Sequence, residues 1–561
     1  MPGLDSKAER RLRPGWKTPQ VLVVGGGPVG LSLAIELGLR RIPVTLLEAR
    51  DGAVHVPKMS QLTVRTVEFC RRWGLEQQVI AAGWPKTHPM DFLHVTSLTG
   101  CEIYRRKTPS YAEQPHFPYS PTTDYHCPQI FFDPVLQRFA ASLESVSLAY
   151  LTEFESFERT DEGVVVQARD TGSGERLTIA ARFLVGCDGG PSTVRRALGI
   201  GLSGEGRLDF SLSIFFRSPE LGAIHDKGWA RFYKLIDGLG HWGDLVAIDG
   251  KELWRLTILT GLEPGRRFAA ADAEQYISRA AGRRVPYEIL SILPWERMEL
   301  VAESYREGPV FIAGDAAHQN SPTGGLGMNT GVADAVDLAW KLAAVLEGWG
   351  AETLLASYEI ERRPVALTNV AECSRLFHEA IAIPALPEVE EASPAGEAAR
   401  RRVAQALRGT ESISQNIRLG YCYERSPIIC SDGTPPVDLT RRDFVPSARP
   451  GTRAPHAWIA DGRSTLDLFG EGFTLVVLGP AEQEVSPLVA AAQARRMPLR
   501  PERIARADLA ELYGARLVLV RPDGHVAWRG QELPRDPGAL LDVARGAARQ
   551  GAAPADIAIP G

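Results

Sequence analysis

The chain has 561 residues, 44% of them apolar, which is ample for a large core divided among about two to four domains. Its 63 basic and 68 acidic residues leave a net charge of −5, so nothing in the composition draws it to nucleic acid or an anionic membrane. The seven cysteines (Cys70, Cys101, Cys127, Cys187, Cys373, Cys422 and Cys430) form no CxxC pair and match no metal spacing, which predicts no metal centre and a reducing compartment.

Taken in chain order, the polar first 20 residues show no apolar leader. No later window holds about 18 uninterrupted apolar residues, so a soluble, cytoplasmic protein is expected. Val21 to Val24 and Val44 to Leu47 are short apolar runs, as buried parallel strands require, with helix formers from Leu31 to Leu39 between them. Leu62 to Val79 has helical spacing. Residues 86 to 130 are rich in Pro, His and aromatics and predict loops and short strands. Residues 148 to 187 and 208 to 262 alternate as strands do, the second stretch predicting an antiparallel sheet. Val310 to Ala313 is a further buried strand, followed by a glycine-rich loop and a helix from Asn329 to Glu347. Residues 385 to 405 predict a helical connector and 431 to 455 a boundary. The runs at 473–477 and 517–520 predict a smaller α/β domain, and 544–561 a frayed end.

Three segments carry chemistry. Gly25-Gly26-Gly27-Pro28-Val29-Gly30 follows a strand and opens a helix, as the dinucleotide-binding pattern GxGxxG requires. Glu48, with Ala49 after it, ends the next strand about 20 residues on, where a carboxylate accepts from ribose hydroxyls and repels a 2′-phosphate. The second segment is Asp188-Gly189 within Gly186 to Arg195; alone it is an Asp-Gly turn. The third is Gly314-Asp315, with His318, then Pro322 to Asn329 including Gly325, Gly327 and Met328. An acid after a buried strand suits a ribityl hydroxyl, and a glycine loop entering a helix offers N–H groups to an anionic ring. Asp315 taken alone is equally a helix N-cap.

Together these segments resemble one family, the group A flavoprotein aromatic hydroxylases, the class of p-hydroxybenzoate hydroxylase and phenol hydroxylase. Residues 334–341 and 357–364 also match it. The resemblance implies FAD as cofactor, NADPH or NADH as transient reductant, and O2 and a small aromatic substrate as partners, with a homodimer as the family-level expectation. It implies oxygen transfer from a flavin C4a-hydroperoxide to an electron-rich ring, and it places Arg65 and Gln129 beside the FAD. The fold it implies is α/β: a Rossmann-like FAD-binding domain (18–85, 129–203, 299–380) interleaved with a β-sheet substrate domain (86–128, 204–298). A helical connector (381–445) and a thioredoxin-like domain without redox cysteines (446–561) follow.

In phenol-hydroxylase-like members an Asp stands five residues before the equivalent of Arg65; here Ser60 does, and a hydroxyl is a poor general base. His94, His241 and Tyr233 are the candidate replacements, each of which reads equally as a satisfied structural group. Trp242, Trp254 and Phe232 are read as core or pocket wall. Pro322 resembles the family proline whose carbonyl faces flavin and substrate. A related flavoenzyme performing epoxidation, Baeyer–Villiger insertion, halogenation or dehydrogenation, and a non-catalytic flavin-binding protein, are the competing readings.

Overall fold

The computed structural model describes residues 18–548 except 260, 261, 264, 409–413, 442 and 480–483. The expected end beyond 548 lies outside the described residues. A sheet runs in the order Arg306–Glu307, Val310–Ile312, Phe183–Gly186, Val21–Val24, Val44–Leu47, Val146–Ala149, parallel except at the first pair. Every residue of Val21–Val24 and Val44–Leu47 is buried, which is why these strands read as unbroken apolar runs. The helix Pro28–Leu39 covers one face and is itself buried from Pro28 to Gly38. The helical run predicted from 62 to 79 is two helices, Val64–Arg72 and Glu76–Ala82. Gly74 between them adopts φ 77°, a left-handed stop that the apolar spacing does not reveal.

The antiparallel sheet predicted for 208–262 extends further. Its order is His318–Gln319, Glu288–Ala302, Leu202–Arg217, Leu253–Ile258, Gly240–Ala247, Phe232–Asp237, Phe92–Val95, Glu102–Arg106. One face carries Leu212, Ile214, Phe216, Tyr233, Trp254 and Leu256 into a core closed by the helix Ala270–Ala281. The alternate residues, Ser211, Ser213, Phe215, Arg255 and Thr257, take the other face.

The loop at 322–326 feeds the helix Gly327–Leu346, which is buried from Asn329 to Ala344. Beside it lies Glu352–Ile381, a helix of 30 residues that accommodates Pro364. The tail has a mixed four-stranded sheet, Leu499–Ile504, Phe473–Leu478, Leu517–Val520, Val526–Gly530. Its inner face shares a core with the long helix: Trp340 and Ala344 pack with Phe473, Leu475, Leu519 and Trp528.

Candidate functional site

The glycine turn is shaped by two different demands. Gly25 has φ 108°, and a Cβ there would lie 2.3 Å from the Cys187 carbonyl oxygen, so only glycine fits. Gly27 is the opposite case. Its φ and ψ of −75° and 179° suit any residue, yet a Cβ there would meet nothing within 4 Å. It is the N-cap of Pro28–Leu39, no side chain caps that end, and the first turn holds no acid. Open space at an uncapped helix N-terminus is what a phosphate needs. Val29 and Gly30 are buried in the helix, and Glu48 stands over the turn. Its carboxylate accepts from the Gly26 N–H at 2.7 Å and the Arg50 N–H at 2.9 Å, with Ala49 exposed beside it.

Asp188 works on the backbone. It accepts from the Thr193 and Val194 N–H groups at 2.7 and 3.1 Å and from the Ser192 hydroxyl at 2.5 Å, starting a short helix. Gly189, at φ 80°, leaves open space where a side chain would be. Arg195 ties this turn to the third segment, donating to the carbonyls of Gly190 and Ala316 at 3.0 and 2.9 Å. Gly314, at φ 62°, donates its N–H to Asp334 at 3.2 Å. Asp315 is exposed and enters no hydrogen bond or ion pair among the described residues, which leaves its carboxylate available. His318 meets the same Asp334 at 2.8 Å, and Arg362 Nε reaches its other oxygen at 2.8 Å. Against the penalty of burial, Arg362 and His318 hold the Asp334 carboxyl below its usual range. His318, which the sequence expects to orient the loop, is thereby held by Asp334. Asn329 fastens the loop's other end: its amide donates to the carbonyls of Gly325 and Gln61 at 2.6 and 3.0 Å. Its oxygen accepts from Thr63 N–H and Thr66 Oγ1 at 2.9 and 2.6 Å. Gly325 lies in this turn at φ 70°, Gly327 opens the helix, and Met328 packs partly against the main core.

At five further expected positions the structure shows partners within the chain. Arg65 is engaged with the tail. Its guanidinium donates to Glu68 at 2.9 Å and the Asp523 carbonyl at 2.6 Å, and lies 4.4 Å over Phe69. Gln129 spends its amide on the chain, accepting from the Lys58 N–H at 3.1 Å and donating to Asp133 at 3.0 Å. Tyr233 lies on the face buried under Ala270–Ala281, its hydroxyl accepting from Ala230 N–H and donating to Gly228 carbonyl. His241 is enclosed by Asp244 at 2.8 Å and the carbonyls of Gly243 and Ala380, each 3.2 Å away, so it is a satisfied structural histidine. The Pro322 carbonyl accepts from Gly325 N–H at 3.1 Å and so closes its own turn.

Three buried arginines were not picked out by the sequence. Arg231, Arg255 and Arg297 enter no ion pair among the described residues, and the Nε of each is buried without a partner. Arg231 lies 4.8 and 4.9 Å over the rings of Phe92 and Phe232 and reaches Gln61. Arg255 reaches the Pro57 carbonyl. Arg297 donates to Ser321 Oγ at 2.8 Å, with Thr323 and Ser211 at 3.5 and 3.4 Å, beside Pro322. Burial pulls the three guanidinium groups down to about 9, 10 and 10, still charged at neutral pH. For Arg255 the signal was a basic residue inside an apolar strand, Leu253-Trp254-Arg255-Leu256; Arg231 and Arg297 carry no such mark. His94 also belongs to this sheet; its Nδ1 is unpartnered, and burial, then Lys234 and His241, push it down to about 3, too weak a base to take a phenol's proton.

Comparison with known proteins places these segments. The family described as "FAD binding domain" matches residues 18–373, and "Aromatic-ring hydroxylase, C-terminal" matches 447–548. Aklavinone 12-hydroxylase DnrF of Streptomyces peucetius is 34% identical, over 81% of this chain and 90% of its own. The 4-methyl-5-nitrocatechol 5-monooxygenase of a Burkholderia species is 33% identical, over 93% of this chain and 96% of its own. The structure of RebC with bound 7-carboxy-K252c, after a chromopyrrolic acid soak, superposes with a TM-score of 0.88. It is 37% identical and covers 95% of this chain and all of its own.

Proposed function

The chain belongs to the FAD-dependent aromatic-ring hydroxylases, and from that premise we propose that it oxygenates a phenolic or polycyclic aromatic substrate bound as its phenolate. It is a flavoprotein monooxygenase with FAD as its cofactor and NAD(P)H, typical of the family, as reductant. When bound, FAD supplies the redox chemistry, relaying electrons from the nicotinamide to O2, one atom of which enters the ring.

The chain's own residues fit that cofactor. The open N-terminus at Gly27 receives the pyrophosphate, Glu48 the ribose and the unengaged Asp315 the ribityl chain. The uncapped start of Gly327–Leu346 offers its N–H groups to the ring end. The observation that carries the substrate reading is the set of unpaired arginines. A buried guanidinium with no carboxylate beside it is costly. An anionic ring oxygen removes that cost and is in turn stabilised, so the phenol ionises without a strong base. This supports a site that dispenses with an acid at Ser60. It also gives the electron-rich ring that an electrophilic oxygen requires.

The test is NADH and NADPH oxidation in air over a panel of phenols, catechols and polycyclic quinols, beside matched O-methyl ethers. Oxidation stimulated by a free phenol, with a product heavier by one oxygen, is expected. Equal turnover of the ethers overturns the phenolate reading, because an ether cannot ionise.

A further inference from the structure

The tail has no cysteine after Cys430, so thiol chemistry does not explain it. A dense cluster of buried charge lies where the tail meets the body, and the flavin cradle described above does not use it. At the tip between the strands Leu517–Val520 and Val526–Gly530, Arg521 is fully buried. It donates to Glu361 at 2.6 and 2.9 Å, to Asp337 at 2.9 Å and to Asp523 at 2.6 Å. Lys341 donates to Asp337 and Glu361 at 2.7 and 2.6 Å. Asp337 and Lys341 lie on Gly327–Leu346, and Glu361 on Glu352–Ile381. Arg521 is therefore the tail's cation in a network that binds these two helices to each other.

The next layer along the same helices is the flavin loop's own support. Asp334 is one turn before Asp337, and Arg362 directly follows Glu361. These two pair with each other, and Asp334 holds His318 and the Gly314 N–H. The helix that Arg521 fixes is also the one whose first residues are the glycine loop. The tip reaches that loop from a second side. The carbonyls of Asp523 and Pro522 accept from Arg65 at 2.6 Å and Arg72 at 3.1 Å, both on Val64–Arg72. Arg453 pairs with Glu68 on the same helix, and Thr63 and Thr66 at its start hold Asn329. Both anchors of the loop, Asp334 and Asn329, thus stand within one or two contacts of one hairpin tip.

We propose that Arg521 is a positioning residue for the flavin: through Asp337 and Glu361 it sets the register of the two long helices, and with it the loop from Gly314 to Asn329 that receives the ring end of FAD. This rests on the hydroxylase reading and adds to it a function for the tail, as part of the flavin site. A fork of donors is required, since one cation must satisfy three carboxylates from two helices and its own hairpin, which a lysine ammonium cannot span in the same way.

The test uses the full chain. Arg521→Lys keeps the charge and loses the fork. Arg521→Met combined with Glu361→Gln removes one cation and one anion, so that the buried charge balance is kept. Three quantities are compared with the unchanged protein: FAD affinity, the share of consumed NADH recovered as hydroxylated product, and amide hydrogen exchange over 314–329 in the apoprotein. Coupling through such packed chains supports an effect of about tenfold. The expected result is FAD binding weakened about tenfold, more peroxide at the expense of product, and faster exchange in the loop. Variants with a lower melting temperature but unchanged FAD affinity, product yield and loop exchange would show a scaffold contact only and overturn the proposal. If the unchanged protein itself refuses FAD, the hydroxylase reading falls. Exchange in the apoprotein then still decides whether Arg521 governs the loop.

Discussion

Arg297 is a cation held among hydroxyls and rings, with Phe377 at 4.2 Å and Trp295 at 5.0 Å; Asp209 and Asp244 act on it only from beyond ion-pair distance. If it stabilises a substrate phenolate, its loss raises the pKa at which the bound phenol ionises. Arg297→Met should therefore lower kcat/KM at pH 7 by about 10- to 100-fold, as losing a charge-assisted hydrogen bond of about 1.5–3 kcal/mol requires. Its acidic limb should move to higher pH, and a profile of unchanged shape would contradict the role. Asp133 presents the reverse problem. Burial raises its carboxyl to about 7 despite a hydrogen bond from Gln129, and Oδ1 is unpartnered. Its folded pKa lies above its unfolded one, so the stability it contributes is full at low pH and is lost as pH rises through 7. Asp133→Asn should flatten the fall in melting temperature between pH 5 and 8; an unaltered slope would assign that fall elsewhere. At this scale Gly25 was legible, because its left-handed backbone and the close Cys187 carbonyl admit only glycine. The partners of Arg65 and Gln129 were not, because which way a long side chain turns depends on distant chain: Asp523 in the tail for Arg65, and Lys58, 71 positions away, for Gln129.

Strands and helices were legible where burial imposes a period. Val21–Val24, Val310–Ile312 and Leu517–Val520 sit where apolar runs place them, since strands buried on both faces admit little else. The break at Gly74 and the choice of face for Tyr233 and His241 were hidden, because alternation gives two faces without saying which one meets the flavin loop. The helix Gly327–Leu346 shows how an element serves both fold and site: its buried length packs the core while its first turn is the loop. Asn329 joins these functions with four hydrogen bonds. Asn329→Ala leaves the Thr63 N–H and two carbonyls unpaired, which should cost about 2–3 kcal/mol and loosen FAD. Thermal unfolding with and without FAD checks this. A variant as stable as the unchanged protein in both states would remove Asn329 from the loop's support.

Across the whole molecule, the tail is part of one packed body. Its sheet shares an apolar core with Trp340 and Trp349, whose rings lie 5.8 and 6.3 Å from Phe473. Several histidines are buried neutral: burial pulls His456 and His525 down to about 4, aided by Arg453 in the first and by Arg65 and Arg521 in the second. The unfolded chain binds protons at about 6.5 that the folded one refuses until about 4. Stability is therefore full above 6.5 and falls as pH drops from 6.5 to 4. His456→Gln, which keeps a partner for Ser464, should reduce the drop in melting temperature over that window. An unchanged drop would remove His456 as a contributor.

The most direct measurement is an FAD titration of the unchanged protein and of Gly27→Val, each followed by visible spectrum and thermal unfolding. The position tolerates a side chain in both backbone and space, so the variant should fold as well as its parent. It should bind FAD about a hundredfold more weakly or worse, because the added Cβ occupies the room left for the pyrophosphate. A parent that refuses FAD, or a variant that binds it equally well, would show that the open helix end at Gly27 is not a flavin cradle.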